Sequence, residues 1–199
     1  YSVKPEKKPD LLAELLKEPD WDQVLVFTRT KAGADVLDAR LQREDIRTDV
    51  LHSNRRMQHR TRALERFAQG KVRVLVATDV AQRGLDVDGI SHVVNYDIPL
   101  DPEDYVHRIG RTGRAGATGT AITFVTGADL GALKSLEHRL GRELNRVHIP
   151  EYDYAGVPKA ESSSAEKKRR KSRSPQGLGS RSADDLTAEE LETLLDPES

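Results

Sequence analysis

The chain has 199 residues, a formal net charge of -1 at pH 7, 36% hydrophobic and 33% charged residues, and no cysteine. The length suits one domain with flanking segments, while the near-zero charge hides a segregation of sign and says little about partners. The lack of cysteine excludes disulfides and cysteine-ligated metal and fits a reducing compartment. No apolar stretch approaches the roughly 18 residues needed to cross a bilayer, and Tyr1 to Pro5 lack the apolar segment of a secretion signal. The chain does not begin with Met, so a piece of something longer is expected.

A first helix is expected around Leu11 to Leu16, its apolar residues capping a sheet. Val24 to Phe27 is a short apolar run rich in β-branched residues, which reads as a buried strand. Lys31 to Arg43 carries Ala34, Leu37 and Leu41 at helical spacing. Thr48 to Leu51 reads as a second strand, and Met57 to Phe67 as a helix with Met57, Ala63, Leu64 and Phe67 near one face. Val72 to Ala77 is a third strand, apolar on both faces apart from Arg73, and Val93-Val94 lies in a fourth. Asp101 followed by Pro102 predicts a helix start, with the acid as N-cap and proline in the first turn. Thr120 to Val125 is a fifth strand, and Asp129 to Leu140 a helix ended by Gly141. Strands apolar throughout and separated by helices imply an α/β domain with a mainly parallel sheet covered on both faces. In such sheets ligands bind beyond the carboxyl ends of the strands, here the loops after Phe27, Leu51, Ala77 and Tyr96.

Two of these loops are rich in candidate chemistry. Thr78 to Val87 places Gly84 between Arg83 and Asp86. The glycine permits a tight backbone step, and the two charges suit a polar ligand, although a surface turn with an ion pair is an equal reading. Tyr105 to Gly116 holds three arginines within seven residues, Arg108, Arg111 and Arg114, interleaved with Gly110, Gly113 and Gly116. Glycines let the backbone approach closely, and arginines can then reach across a cleft to oxyanions; a solvated charged loop is the bland alternative. Gly70-Lys71 is the only Gly-Lys pair, and with Glu65 and Val72 at the flanking positions it is no Walker A loop. The chain has arginines suited to a polyphosphate but no cradle for one.

His107-Arg108-Ile109-Gly110-Arg111-Thr112-Gly113-Arg114 matches motif VI of the DEAD-box ATP-dependent RNA helicases residue for residue. Thr78 to Ala81 with Arg83 to Asp86 matches motif V, Val24 to Phe27 with Thr28 and Thr30 resembles motif IV, and Leu51-His52 through Arg60 resembles segment IVa. Residues 1–150 therefore resemble the C-terminal RecA-like domain of that family, with the flavour of its bacterial RhlE-like branch. The resemblance implies a three-layer RecA-like fold over 21–150, preceded in 1–20 by the end of an interdomain linker and a first helix. It implies that Arg111 and Arg114 reach the γ-phosphate of ATP, with Asp86 and Gly84 beside the nucleotide and Asp86 on its ribose. His107 and Arg83 would couple the two domains, and Thr78, Arg60 and Gly84 would bind or position the RNA backbone. Ser53 stands where the family has Gly, and Met57 where it has Gln, with Gln58 one position late; Met57 reads as helix core. The family's Walker A lysine and Asp-Glu-Ala-Asp box belong to the other RecA-like domain, which would be the main holder of the Mg²⁺ that accompanies ATP. The implied partners are RNA, gripped by its backbone without regard to sequence, and the N-terminal RecA-like domain, in a cytoplasmic setting with no membrane. A non-catalytic RNA- or protein-binding module on the same fold is the alternative. DNA helicases of the superfamily are a weaker one, since their motif VI more often begins with Gln.

Beyond 150 the composition changes. Ser162 to Arg181 is rich in Ser, Lys and Arg around the run Lys167 to Lys171, a composition that cannot bury a core and predicts disorder. It suits a nonspecific RNA tether or a solubilising linker. The acidic stretch Asp184 to Asp196 then carries Leu186, Leu191, Leu194 and Leu195 near one helical face, with Thr187 and Glu190 spaced as a capping box; docking on a partner, folding back on the basic run, or no role at all are open.

Overall fold

The computed structural model describes residues 1–82, 87–113 and 119–147; the tail 151–199 and its expected features lie outside them. The elements run α1 (Lys8–Leu15), β1 (Val24–Phe27), α2 (Lys31–Gln42), β2 (Thr48–Leu51), α3 (Met57–Ala68), β3 (Val74–Ala77), α4 (Asp79–Gln82), β4 (His92–Asn95), α5 (Pro102–Ile109), β5 (Thr120–Thr123) and α6 (Leu130–Leu140). The five strands form one sheet in the order β2-β3-β1-β4-β5, every pair parallel.

Alternation along the strands sorts the core into two layers. Val24, Val26, Val74 and Val76 face Leu11, Leu12 and Leu16 at α1 and Ala34, Leu37 and Leu41 of α2. Leu25, Phe27, Leu75 and Ala77 face Ala63 and Phe67 of α3. A third cluster joins α5 and α6 through Ile98, Tyr105, Leu133 and Leu136. The expected helix between sheet and solvent at 11–16 is thus part of the core.

Several boundaries differ from the sequence reading for local reasons. The third strand starts at Val74 and not at Val72, because the N–H groups of Arg73 and Val74 both donate to the Arg47 carbonyl, at 3.0 and 3.1 Å. The side chain of Arg73 turns away and donates to the Trp21 carbonyl at 2.6 Å. β5 ends at Thr123, while Val125 bridges Ser2 in parallel, so Ser2 and the buried Val3 are built into the domain. Before α6 comes a short 3-10 turn, Gly127–Asp129, in which the Asp129 carboxylate accepts from the Thr126 N–H at 3.0 Å and from its hydroxyl at 2.6 Å. Gly141 ends α6 with φ +65°, the left-handed step expected of it. Met57 is a correction: it is 73% exposed and takes no part in the core. It sits in the first turn of α3, before the helix has reached the sheet, and the buried face begins with Ala63.

Candidate functional site

α5 starts as the sequence implies, with Asp101 Oδ1 accepting from the Glu103 N–H at 3.0 Å and Pro102 in the first turn. Tyr105 is buried in the cluster shared with α6. Arg108 goes inward too: it is 1% exposed, with Nε and Nη2 donating to the two carboxylate oxygens of Asp79 at 2.6 and 2.7 Å. Its Nη1 donates to Asn95 Oδ1 at 3.0 Å and to the Asp97 carbonyl at 2.8 Å, and the guanidinium lies 5.1 Å from the centre of the Phe27 ring. A rigid planar fork meets a carboxylate on one side and two neutral acceptors on the other, which is what a buried arginine requires. The picture of three arginines extending together into a cleft is therefore corrected: Arg108 is a structural tie between α5 and α4. The stretch after Thr78, read as a loop, opens with the turn of helix that presents Asp79. Nearby, burial pushes the Asp104 carboxyl above its ordinary range, with the Asp79 and Asp101 carboxylates adding to the effect.

A second tie lies past the end of α5. The Thr112 hydroxyl donates to the Ile90 carbonyl, next to the start of β4. Gly119 packs against it so closely that an added Cβ would fall 2.0 Å from Thr112 Oγ1 and 2.5 Å from the Gly113 nitrogen. Arg111 and Gly113 flank this anchor. The rule that ligand groups gather beyond the carboxyl ends of the strands locates Thr78, Asp79 and Asp97, but Arg111 is moored beside the amino end of β4. Both flanks of residues 83–86 are thus held to the α5 segment, by Asp79 to Arg108 and by Ile90 to Thr112. His107 is exposed and Arg111 half-buried, four positions apart across the end of α5. Arg83, Gly84, Asp86 and Arg114 lie outside the described residues.

At the carboxyl ends of β2 and β3 the buried Thr78 donates its N–H to the Leu51 carbonyl at 3.2 Å. Its hydroxyl oxygen is buried without a protein hydrogen-bond partner, as are Nε of the half-buried Arg60 and Nδ1 of His52. Buried polar atoms are satisfied in the great majority of cases, so such orphans call for an explanation. The other ring nitrogen of His52 is 3.0 Å from Asp35 Oδ1, which also accepts from Arg55 at 2.7 Å. Burial acts to raise the Asp35 carboxyl, but the hydrogen bonds from His52 and Arg55 outweigh it and hold the pKa below its ordinary value. Sequence reasoning missed Asp79, Asn95, Asp97 and Arg108 as a unit; the only signal was an arginine on the apolar side of a short helix.

The helicase conserved C-terminal domain model matches residues 7–116. The chain belongs to that family, in its DEAD-box branch. A DEAD-box ATP-dependent RNA helicase CshA of Bacillus cereus is 44% identical over 153 residues, 77% of this chain and 29% of the relative. An ATP-dependent RNA helicase RhlB of Pseudomonas aeruginosa is 46% identical over 144 residues, 72% of this chain and 36% of the relative. This DEAD-box domain thus spans about a third of the length of these curated relatives. Among solved structures, Escherichia coli SrmB in complex with the regulator RraA superposes with a TM-score of 0.76 at 36% identity, covering 81% of this chain and 95% of that one. Saccharomyces cerevisiae Dbp5 bound to RNA and ADP BeF3 gives a TM-score of 0.68 at 34% identity, over 74% of this chain and 39% of that one. The three-layer RecA-like architecture of the DEAD-box domain is the one these neighbours share. Among its described residues no helix is long and apolar enough to cross a membrane. A cavity of about 520 Å³ runs along the outer edge of β5, between Tyr105, Ile109, Leu133 and residues 142–147, and Thr78, Arg60, His107 and Arg111 do not line it.

Proposed function

We propose that this domain is the second RecA-like half of a cytoplasmic, ATP-dependent RNA helicase, and that it closes on an N-terminal RecA-like half to hydrolyse ATP and part short duplexes. The observation that carries the reading is the double mooring of the motif VI segment, by Arg108 to Asp79 in motif V and by Thr112 to Ile90 just after it. A tie at each end holds Arg111 in a fixed place, which catalysis by charge stabilisation demands.

Bound between the halves, ATP would supply the phosphoryl group that is transferred to water. In this reading Arg111 and Arg114 donate to its γ-phosphate oxygens, and Asp86, with Gly84 beside the nucleotide, accepts from the ribose. Of this donor set Arg111 is described, half-buried just past the end of α5, and a guanidinium is chemically suited to a phosphate oxygen. Mg²⁺ would be held by the other half; among the described residues no cluster of three His, Asp or Glu could hold a metal ion. His107 and Arg83 would transmit closure between nucleotide and RNA. The orphaned Thr78 hydroxyl and Arg60 Nε are suited to RNA phosphate and 2′-hydroxyl groups, which carry no sequence information.

The test is Arg111→Ala in the full-length protein. Turnover should fall by at least about 10², a floor set below the roughly 10³ to 10⁵ that finger arginines contribute, and Arg111→Lys should restore little, since an ammonium lacks the planar two-pronged contact. RNA affinity without nucleotide should barely move. Near-normal turnover in both Arg111→Ala and Arg114→Ala, with the protein folded, would leave the non-catalytic binding module as the better reading.

A further inference from the structure

Lys8 opens α1, yet its side chain is only 8% exposed. Its ammonium donates to the Tyr96 carbonyl at 2.7 Å and to Asp97 Oδ1 at 2.9 Å, and lies 5.2 Å from the centre of the Tyr96 ring. A lysine in a surface helix of an ordinary α/β domain would leave its charge in water, because burying an ammonium is costly unless it is paired. Asp97, in turn, takes more than this one donor. Its Oδ2 accepts from the Arg29 N–H at 3.0 Å, which ties in the turn after β1. Its carbonyl accepts from Arg108 Nη1 at 2.8 Å. Asp97 is therefore the residue through which a contact made by α1 reaches the guanidinium that holds α5. Arg111 follows Arg108 by three positions.

We infer that Lys8 is a positioning residue for the arginine segment: by charge-pairing Asp97 it fixes the acceptor that Arg108 needs, and so sets the placement of the end of α5 that bears Arg111. The inference rests on the reading of Arg111 as a catalytic arginine. A core lysine whose only task is packing would serve equally well as a residue of similar length without charge. A positioning lysine would not, because the carboxylate would lose its cation and the 96–98 turn its fixed geometry. Displacement of a catalytic group by about 1 Å can cost on the order of 10²-fold in rate, so a partial displacement should be visible in turnover.

The experiment is a set of variants of the full-length protein, assayed for RNA-stimulated ATP hydrolysis. Lys8→Met keeps the length and apolar stem and removes the charge. It should lower kcat about tenfold while the KM for ATP and nucleotide-free RNA affinity stay within about twofold, and Lys8→Arg should recover most of the loss. The decisive arm is the double variant with Arg111→Ala. If Lys8 acts through Arg111, Lys8→Met should cost nothing further in that background, since the two changes remove the same contribution. A Lys8→Met effect that multiplies with that of Arg111→Ala would overturn the inference and leave the arginine assignment standing. So would a kcat within twofold of wild type in Lys8→Met with an unchanged melting temperature. A normal kcat in Arg111→Ala alone would instead remove the function on which the inference rests, and is read separately from the single variant.

Discussion

Arg108 and Asp79 meet as two planar groups, Nε on Oδ1 and Nη2 on Oδ2, at 2.6 and 2.7 Å, with the arginine 1% exposed. The pair joins a residue after β3 to one in α5, twenty-nine positions later. Because Asp79 retains some exposure, the pair is not sealed from solvent on both sides.

Removing one partner should cost far more than the pair contributes as a whole. Asp79→Asn leaves a buried guanidinium without its counter-charge, and the expected loss is about 3 kcal/mol, at the lower end for broken buried pairs because Asp79 is partly exposed. Arg108→Met with Asp79→Asn together should be less damaging than the sum of the single changes. Urea unfolding of the four proteins in the cycle measures this, and additive losses would show that the two side chains do not depend on each other.

Gly119→Ala introduces a Cβ 2.0 Å from Thr112 Oγ1 and 2.5 Å from the Gly113 nitrogen. The second contact is backbone and cannot rotate away. A loss of about 1–3 kcal/mol is expected for overpacking of this kind, together with release of the Thr112–Ile90 anchor. Gly131→Ala is the control, since a Cβ there meets nothing within 4 Å. Thermal unfolding of both variants separates the two; equal melting temperatures would contradict the packing.

Asp129 should give the domain a stability that fades in acid. Burial acts to raise its carboxyl, but the hydrogen bonds from the Thr126 side chain and backbone outweigh this and hold it below its ordinary value of 3.8. A depressed carboxylate stabilises fully above the unfolded pKa and loses its contribution as pH falls through the folded one. The window therefore lies below about pH 4. Asp129→Asn should cost about 1 kcal/mol at pH 7, as loss of a capping acceptor does, and the gap to wild type should close towards pH 2. A gap that is constant from pH 7 to pH 2 would mean that the charge of Asp129 contributes nothing.

Deleting residues 159–199 should weaken RNA binding and flatten its salt dependence if the run Lys167 to Lys171 contacts the backbone. Each neutralised phosphate of a single strand contributes about 0.7 to the slope of log affinity against log salt. Measurement of that slope for the full-length protein with and without the tail is the check, and identical slopes would favour a merely solubilising tail.

What was legible in the sequence were features set by local rules. Short apolar runs rich in β-branched residues, such as Val24 to Phe27, read as buried strands, and Asp101-Pro102 and Gly141 marked helix ends because their backbone demands are met within one turn. Met57 misled because a helix pattern does not say where along its length the helix first meets the sheet. The glycines and arginines of motif VI were visible as a cluster, but their directions were not. Whether an arginine turns inward depends on a carboxylate from a different element, Asp79 of α4, and on acceptors at the end of β4, Asn95 and the Asp97 carbonyl. The parallel register brings those together across twenty-nine positions, a distance over which no periodicity reports. For the same reason nothing in the sequence sets Lys8 apart.

The chain holds a single tryptophan. Trp21 is 4% exposed, and its ring stacks on the His92 imidazole at 4.3 Å and 16° between planes. His92 Nδ1 lies 3.1 Å from the hydroxyl of Ser91, whose neighbour Ile90 receives the Thr112 anchor. The indole is therefore a built-in optical probe. Its emission reports on the stack at the foot of β4, one residue removed from the mooring of the arginine segment, so loosening of this domain at that point can be followed by fluorescence without attaching a dye.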